Sequence, residues 1–135
     1  MRDRTPRSVT LVLDENLSGH KVLAGLQAAG IPAKMQTELM NRGLPDEEVL
    51  CRLAGHPDYF LLSKDSDFHR RPAAKAALIR HGIGAFVITA HKDKTATQLV
   101  ELVTHAWPRM LRCTHNHSRP FVAKILADGS VEVVR

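Results

Sequence analysis

The amino-acid sequence predicts an α/β fold, specifically a three-layer α/β/α sandwich around a mostly parallel central sheet. From residue 8 to residue 111, short apolar runs alternate with longer segments of helical periodicity. The apolar runs are continuous, which is typical of strands that are buried on both faces of a parallel sheet. A chain of 135 residues has the size of a single domain. We therefore expect one domain over residues 1–135, of which residues 1–7 form a mobile tail.

Turn signals and apolar spacing place the elements of the first half of the chain. Residues 8–13 (SVTLVL) predict a buried strand, and the helix that follows it ends near Gly30. Residues 33–35 indicate a short second strand. A helix then opens at Asp46, directly after a turn at residues 43–45.

The second half continues the alternation and then departs from it. Residues 59–63 and 85–89 predict buried strands, and residues 73–80 and 95–111 predict helices. The last stretch is different, because two apolar segments flank the dipeptide Asp128-Gly129, which is a strong hairpin signal. We expect this hairpin, over residues 121–134, to be an appendage to the α/β domain, and the sequence leaves open whether it pairs with the sheet edge, a partner or another copy of the chain.

Charge and hydropathy limit the classes of partner. The chain has 19 lysines and arginines against 14 acidic residues, a net charge of +5, and a pI near 9.6. This balance favours a polyanionic partner, although solubility alone explains such a charge equally well. No apolar run approaches the roughly 20 residues that cross a bilayer, and no signal peptide is evident. We therefore expect a cytoplasmic protein without a membrane partner.

Acidic side chains occur where the predicted elements change. Asp14 and Glu15 follow the first strand, and the run from Asp46 to Glu48 opens a helix. Two further carboxylates, Asp65 and Asp67, follow the strand at residues 59–63. The carboxyl ends of parallel strands meet at one edge, where gathered carboxylates favour Mg²⁺ or Mn²⁺. The alternatives are local, since Asp46 could cap its helix and the later pair could be turn residues.

Three segments resemble a known family. The patterns L-V-L-D-E-N-L, G-L-P-D-E-E-V-L and L-L-S-K-D-S-D-F resemble the PIN and PIN-like domain superfamily over residues 9–68. The chain looks most similar to the compact PIN-like toxins of VapBC-type toxin–antitoxin modules. The resemblance implies a metal-dependent endoribonuclease that uses Mg²⁺ or Mn²⁺. It also implies an RNA substrate and a cognate antitoxin protein, and we expect that the chain can form a homodimer.

The resemblance also implies roles for individual residues. The catalytic and metal-binding residues would be Asp14, Asp46, Asp65 and Asp67. Many relatives carry glutamate at the start of the helix, which leaves open whether Asp46 or Glu47 is the ligand. Glu15 belongs to the same motif as Asp14 and would be a supporting or outer acid.

Basic side chains follow the second acidic motif. Lys64, Arg70 and Arg71 are placed to bind the phosphates that flank the cut, although a solvated loop has the same composition. A second basic segment, residues 109–119, could extend this track or meet an acidic partner. Within it, Cys113, His115 and His117 are residue types that bind zinc, although no matching second half of a zinc motif accompanies them.

Two other functions compete with the nuclease. A phosphorelay receiver domain would use Asp14 and Asp65 together with Thr89 and a nearby lysine, but it would leave Asp46 and Asp67 without a role. The other alternative is a non-catalytic PIN-like module that binds RNA or protein through its basic loops.

Overall fold

A computed structural model gives the fold of the chain. The structure describes residues 9–14, 17, 20–41, 43–64, 72–89 and 94–134, and at positions 46, 73 and 74 it describes the backbone alone. The expected tail at residues 1–7 therefore lies outside the described residues. So do five of the residues with predicted roles at the site: Glu15, Asp65, Asp67, Arg70 and Arg71.

The centre of the fold is one six-stranded sheet. Its strands are β1 (Thr10–Leu13), β2 (Ala33–Met35), β3 (Tyr59–Ser63), β4 (Gly84–Ile88), β5 (Phe121–Ile125) and β6 (Val131–Val133). They lie in the order β2-β1-β3-β4-β5-β6. Strands β1 to β5 are parallel to their neighbours, and β6 runs antiparallel to β5. The mostly parallel sheet is therefore confirmed.

Helices cover both faces of the sheet. They are α1 (His20–Ala28), α2 (Gln36–Leu39), α3 (Asp46–Leu53), α4 (Pro72–His81) and α5 (Ala96–Asn116). Helices α1 and α5 pack on one face, and α3 and α4 on the other, which confirms the three layers. The four-residue α2 was not predicted, because a single turn has no apolar periodicity to detect. In the described part of the chain, no helix is long and apolar enough to cross a membrane.

The two faces of the sheet bury separate apolar cores. Leu13 and Leu62 belong to the core beneath α1 and α5, which we call the α1–α5 core. Val12 and Leu61 belong to the core beneath α3 and α4, the α3–α4 core. Successive side chains of a strand point to opposite faces, so this register fixes which face each later residue meets.

The C-terminal hairpin is part of the sheet. Strand β5 pairs in parallel with β4 along its whole length, from Gly84↔Phe121 to Ile88↔Ile125. The predicted hairpin is therefore confirmed, and its position, which the sequence left open, is at the edge of β4, where β5 supplies the hydrogen-bonding partner. The Asp128 carboxylate accepts hydrogen bonds from the Ser130 N–H (2.9 Å) and hydroxyl (2.6 Å), and these bonds close the turn.

Arg119 joins the starting ends of three strands. Its guanidinium donates to the carbonyl oxygens of Gly82 (2.7 Å) and Pro57 (2.6 Å), which precede β4 and β3. The same group lies over the Phe60 ring, 5.4 Å from its centroid. Arg119 itself precedes β5, so we assign it a structural role rather than one in the predicted basic surface.

The long helix α5 does not support the zinc interpretation. It continues to Asn116, five residues beyond its predicted end, because Met110, Cys113 and Thr114 extend its buried stripe. Cys113 lies in the α1–α5 core, whereas His115 and His117 are exposed. Burial raises the pKa of the Cys113 thiol to about 11, which disfavours the thiolate that zinc requires.

We predict that the two cysteines differ sharply in reactivity. At pH 8 iodoacetamide should modify the exposed Cys51 and leave Cys113 unmodified, because burial and the raised pKa suppress the Cys113 thiolate. Mass spectrometry of tryptic peptides measures both sites, and denaturant should make them equally reactive. Modification of Cys113 in the folded protein at a rate similar to Cys51 would contradict its placement in the core.

Candidate functional site

Asp14 lies immediately after β1, where the carboxyl ends of the parallel strands meet. We call this region the Asp14 edge, as distinct from the edge strands β2 and β6. The Asp14 N–H donates to the Leu62 carbonyl (2.9 Å), which continues the β1–β3 ladder by one residue. Its own carbonyl accepts from the Leu17 N–H (2.8 Å). The strand order reverses at β1, because β2 lies on one side of it and β3 on the other. In open α/β sheets the functional cleft forms outside the carboxyl ends of the strands at this kind of reversal.

Ser63 holds the Asp14 side chain. Because Val12 and Leu61 face the α3–α4 core, the alternation directs Asp14 and Ser63 toward the same side. Ser63 is only 1% exposed, and its hydroxyl donates to Asp14 Oδ2 at 2.9 Å. A neutral hydroxyl orients a carboxylate without neutralising its charge. The structure thus presents an oriented acid at the edge where the sequence predicted one.

Sequence reasoning missed Ser63, although a signal was present. Ser63 is the one polar residue in the strand Tyr-Phe-Leu-Leu-Ser beyond its tyrosine, and it stands directly before the Lys64-Asp65 motif. A polar residue at the end of a buried strand needs a hydrogen-bond partner, and the neighbouring strand end offers Asp14. Lys64 follows at the same edge and is partly exposed.

The acids at the start of α3 differ in what they contact. Asp46 is the first residue of α3, which covers the sheet face toward which Asp14 is directed. The Glu47 carboxylate accepts a hydrogen bond from Arg80 and lies 3.1 Å from His81 Nε2, both in the last turn of α4. The hydrogen bond from Arg80 is the main reason why the pKa of Glu47 is lowered, and the bond with His81 adds to it. Glu47 therefore links α3 to α4.

The described residues supply part of the predicted metal site. No group of three or more His, Cys, Asp or Glu side chains that could hold a metal occurs among them. Asp14 supplies a hard carboxylate oxygen, which fits Mg²⁺ or Mn²⁺. Gln36, which follows the last β1–β2 pair Leu13↔Met35, is a buried carboxamide. The side chains of Asp46, Asp65 and Asp67 lie outside the described part of the chain.

Thr89, which a receiver domain would use, is hydrogen-bonded to the neighbouring strand. Its hydroxyl donates to the Ile125 carbonyl at 3.1 Å, and its N–H donates to the same oxygen at 3.2 Å. These bonds tie the end of β4 to β5, so the hydroxyl has a structural partner. The receiver alternative gains no support from these hydrogen bonds.

One of three comparisons with known proteins finds a match to the sequence. A family model described as a PIN-like domain matches residues 9–90, which include β1 to β4 and the Asp14 edge. No curated protein matches the chain, and no solved structure does. The family match covers more than half of the chain and includes every residue of the predicted acidic site.

Proposed function

Since the chain belongs to the PIN-like domain family, we propose that it is a metal-dependent endoribonuclease. The observation that carries this proposal is the Asp14 carboxylate, which is oriented by Ser63 at the carboxyl edge of β1. PIN-like domains are generally nucleases, and in open α/β sheets ligands bind outside the carboxyl ends of the strands, where Asp14 lies. The basic composition of the chain supports an RNA substrate.

We propose that Asp14, Asp46, Asp65 and Asp67 hold Mg²⁺ or Mn²⁺. We favour Asp46 over Glu47, because Glu47 is already engaged by two basic side chains of α4. Glu15 would support the cluster as an outer acid. When bound, such a cation lowers the pKa of water and stabilises the negative charge that develops on a phosphate.

The residues of the chain would then act on the RNA strand in distinct ways. Asp14 would hold a fixed position at the reacting phosphate, because the Ser63 hydroxyl restricts its rotamers. Lys64 is at the same edge and would contact a non-bridging phosphate oxygen, together with Arg70 and Arg71. These side chains would bind the strand through its backbone and read little of its sequence.

We further propose that the protein is the toxin of a VapBC-like toxin–antitoxin module and that it acts in the cytoplasm. The support is the motif resemblance over residues 9–68. A cognate antitoxin would inhibit the enzyme by covering the Asp14 edge. Induced expression should then arrest growth, and co-expression of a small DNA-binding protein encoded next to it should relieve the arrest. Growth that continues despite soluble, RNA-cleaving protein would exclude the toxin role and leave the nuclease.

The nuclease itself is tested by metal removal. The purified protein should cut a fluorescent single-stranded RNA internally in the presence of Mn²⁺ or Mg²⁺, and EDTA should abolish the cleavage because the carboxylates alone cannot activate water. Denaturing gels identify internal cuts. Binding of RNA without cleavage under both metals would instead favour the non-catalytic module. Stable phosphorylation by acetyl phosphate would favour the receiver domain.

Ser63 offers a second prediction. Ser63→Ala should lower the cleavage rate by about tenfold, because residues that orient metal-binding carboxylates typically contribute 10- to 100-fold. Ser63→Thr keeps the hydroxyl and suits a strand, so it should retain most of the activity. Single-turnover kinetics and thermal denaturation of both variants separate a loss of orientation from a loss of folding. Equal rates for Ser63→Ala and the unmodified protein would contradict the orienting role.

A further inference from the structure

Gln36 is a buried amide for which the fold gives no use. The structure describes three buried polar side chains, namely Gln36 (3% exposed), Ser63 and Thr114. The Ser63 hydroxyl donates to Asp14, and the Thr114 hydroxyl donates to the Leu111 carbonyl. Within the described part of the chain, the Gln36 carboxamide makes no hydrogen bond. An unsatisfied buried amide destabilises a fold by roughly 1 to 3 kcal/mol, so its presence calls for a partner from outside the chain.

The sheet register brings Gln36 to the Asp14 edge. Strands β1 and β2 pair in parallel, and their last pair is Leu13↔Met35. The next residue of each strand is Asp14 in one and Gln36 in the other, so the two backbones leave the sheet side by side. The Met35 N–H donates to the Glu38 carboxylate (2.9 Å), which fixes the turn that begins α2. The register and this turn thus place the backbone of Gln36 next to that of Asp14.

The degree of burial decides which ligand suits the amide. Gln36 is 3% exposed, so it offers almost no surface to a polymer such as RNA. A single ion is small enough to contact its carboxamide. The carboxamide oxygen is a hard, neutral donor of the kind that Mg²⁺, Mn²⁺ and Ca²⁺ accept in proteins. A neutral ligand adds coordination without adding to the repulsion among carboxylates.

We propose that Gln36 contributes its carboxamide oxygen to the divalent cation that Asp14 holds. This inference rests on the proposed metal dependence, and it adds a neutral ligand from the first residue of α2 to the Asp14 carboxylate. It makes two predictions of opposite sign for the same substitution. An apolar residue at position 36 should make the metal-free protein more stable and the metal affinity weaker.

The experiment uses the full chain with Gln36→Met, which keeps the length of the side chain. Isothermal titration with Mn²⁺ should show a Kd that is about 10- to 100-fold weaker than for the unmodified protein. Thermal denaturation without metal should show a Tm that is about 3 °C higher, because an unsatisfied amide is removed. The matched control is Thr114→Val, which removes a satisfied buried hydroxyl far along α5. It should lower the Tm and leave the Mn²⁺ Kd unchanged.

A second variant covers the case in which Gln36→Met fails to fold. Gln36→Glu replaces a neutral oxygen with a charged one, so it should bind Mn²⁺ more tightly while lowering the metal-free Tm. An unchanged Mn²⁺ Kd in either variant would overturn the assignment of Gln36 as a ligand. It would not affect the proposal that the protein is a nuclease. A clear fall in Tm for metal-free Gln36→Met would also overturn it, since the chain itself would then satisfy the amide. Absence of Mn²⁺ binding by the unmodified protein would overturn the proposed function as well.

Discussion

Replacing Asp14 by asparagine should reduce RNA cleavage by about 10²- to 10³-fold or more, the range seen when one electrostatic element of an active site is removed. Asparagine has the same shape as aspartate but carries no charge, so it is a far weaker ligand for Mg²⁺ or Mn²⁺. Its carbonyl oxygen can still accept the hydrogen bond from the Ser63 hydroxyl. We therefore expect Asp14→Asn to fold normally and to bind RNA with nearly unchanged affinity.

The measurement compares single-turnover cleavage, Mn²⁺ affinity and RNA affinity in the same preparation. Glu132→Gln is the matched control, because it removes a carboxylate from the exposed face of β6, remote from the β1 edge. The control should cleave like the unmodified protein. Full activity together with full Mn²⁺ affinity in Asp14→Asn would overturn the assignment of Asp14 as a metal-binding acid.

The substitution with the largest expected loss of stability is Phe86→Ala, at the aromatic centre of the α1–α5 core. The rings of Phe60, Phe86 and Phe121 lie with their centroids 5.6 to 6.2 Å apart, and each ring is at most 1% exposed. Phe86 contacts both of the other rings, from the central strand β4. Truncating a buried phenylalanine typically destabilises a protein by about 3 to 5 kcal/mol. That is a large part of the roughly 5 to 15 kcal/mol that stabilises an ordinary domain.

Phe86→Ala should therefore shift the urea midpoint strongly or leave the protein unfolded at 37 °C. Equilibrium unfolding followed by circular dichroism measures the free energy of unfolding. Leu111→Ala is the control, because Leu111 is 38% exposed on α5 and its truncation should cost less than about 1 kcal/mol. A change below about 1 kcal/mol for Phe86→Ala would mean that these rings do not form a packed centre.

Local sequence signals predicted most of the elements well. The strand at residues 59–63 was predicted with its observed bounds, and so was the short strand at residues 33–35. The start of α3 at Asp46 was predicted as well, because a glycine–proline turn marks it. The position of Asp14 at a strand end followed from the same reasoning, since continuous apolar runs define buried strands.

Features that depend on tertiary neighbours could not be predicted. The Ser63–Asp14 bond joins residues 49 positions apart, and it depends on the pairing of β1 with β3. The buried state of Gln36 depends on what packs over α2, and no local pattern encodes it. Likewise, the hairpin signal predicted two strands but not that the first would pair with β4.

The two edges of the sheet bear on how copies of the protein meet one another. Each edge strand has only three residues, and each carries one exposed charged residue at its centre, Lys34 in β2 and Glu132 in β6. Short edges with a central charge are a common protection against strand-to-strand aggregation. Antiparallel pairing of two β6 strands centred on Glu132 would bring like charges together, and pairing of two β2 strands would do the same for Lys34. We therefore expect the protein to resist fibril growth through its edge strands.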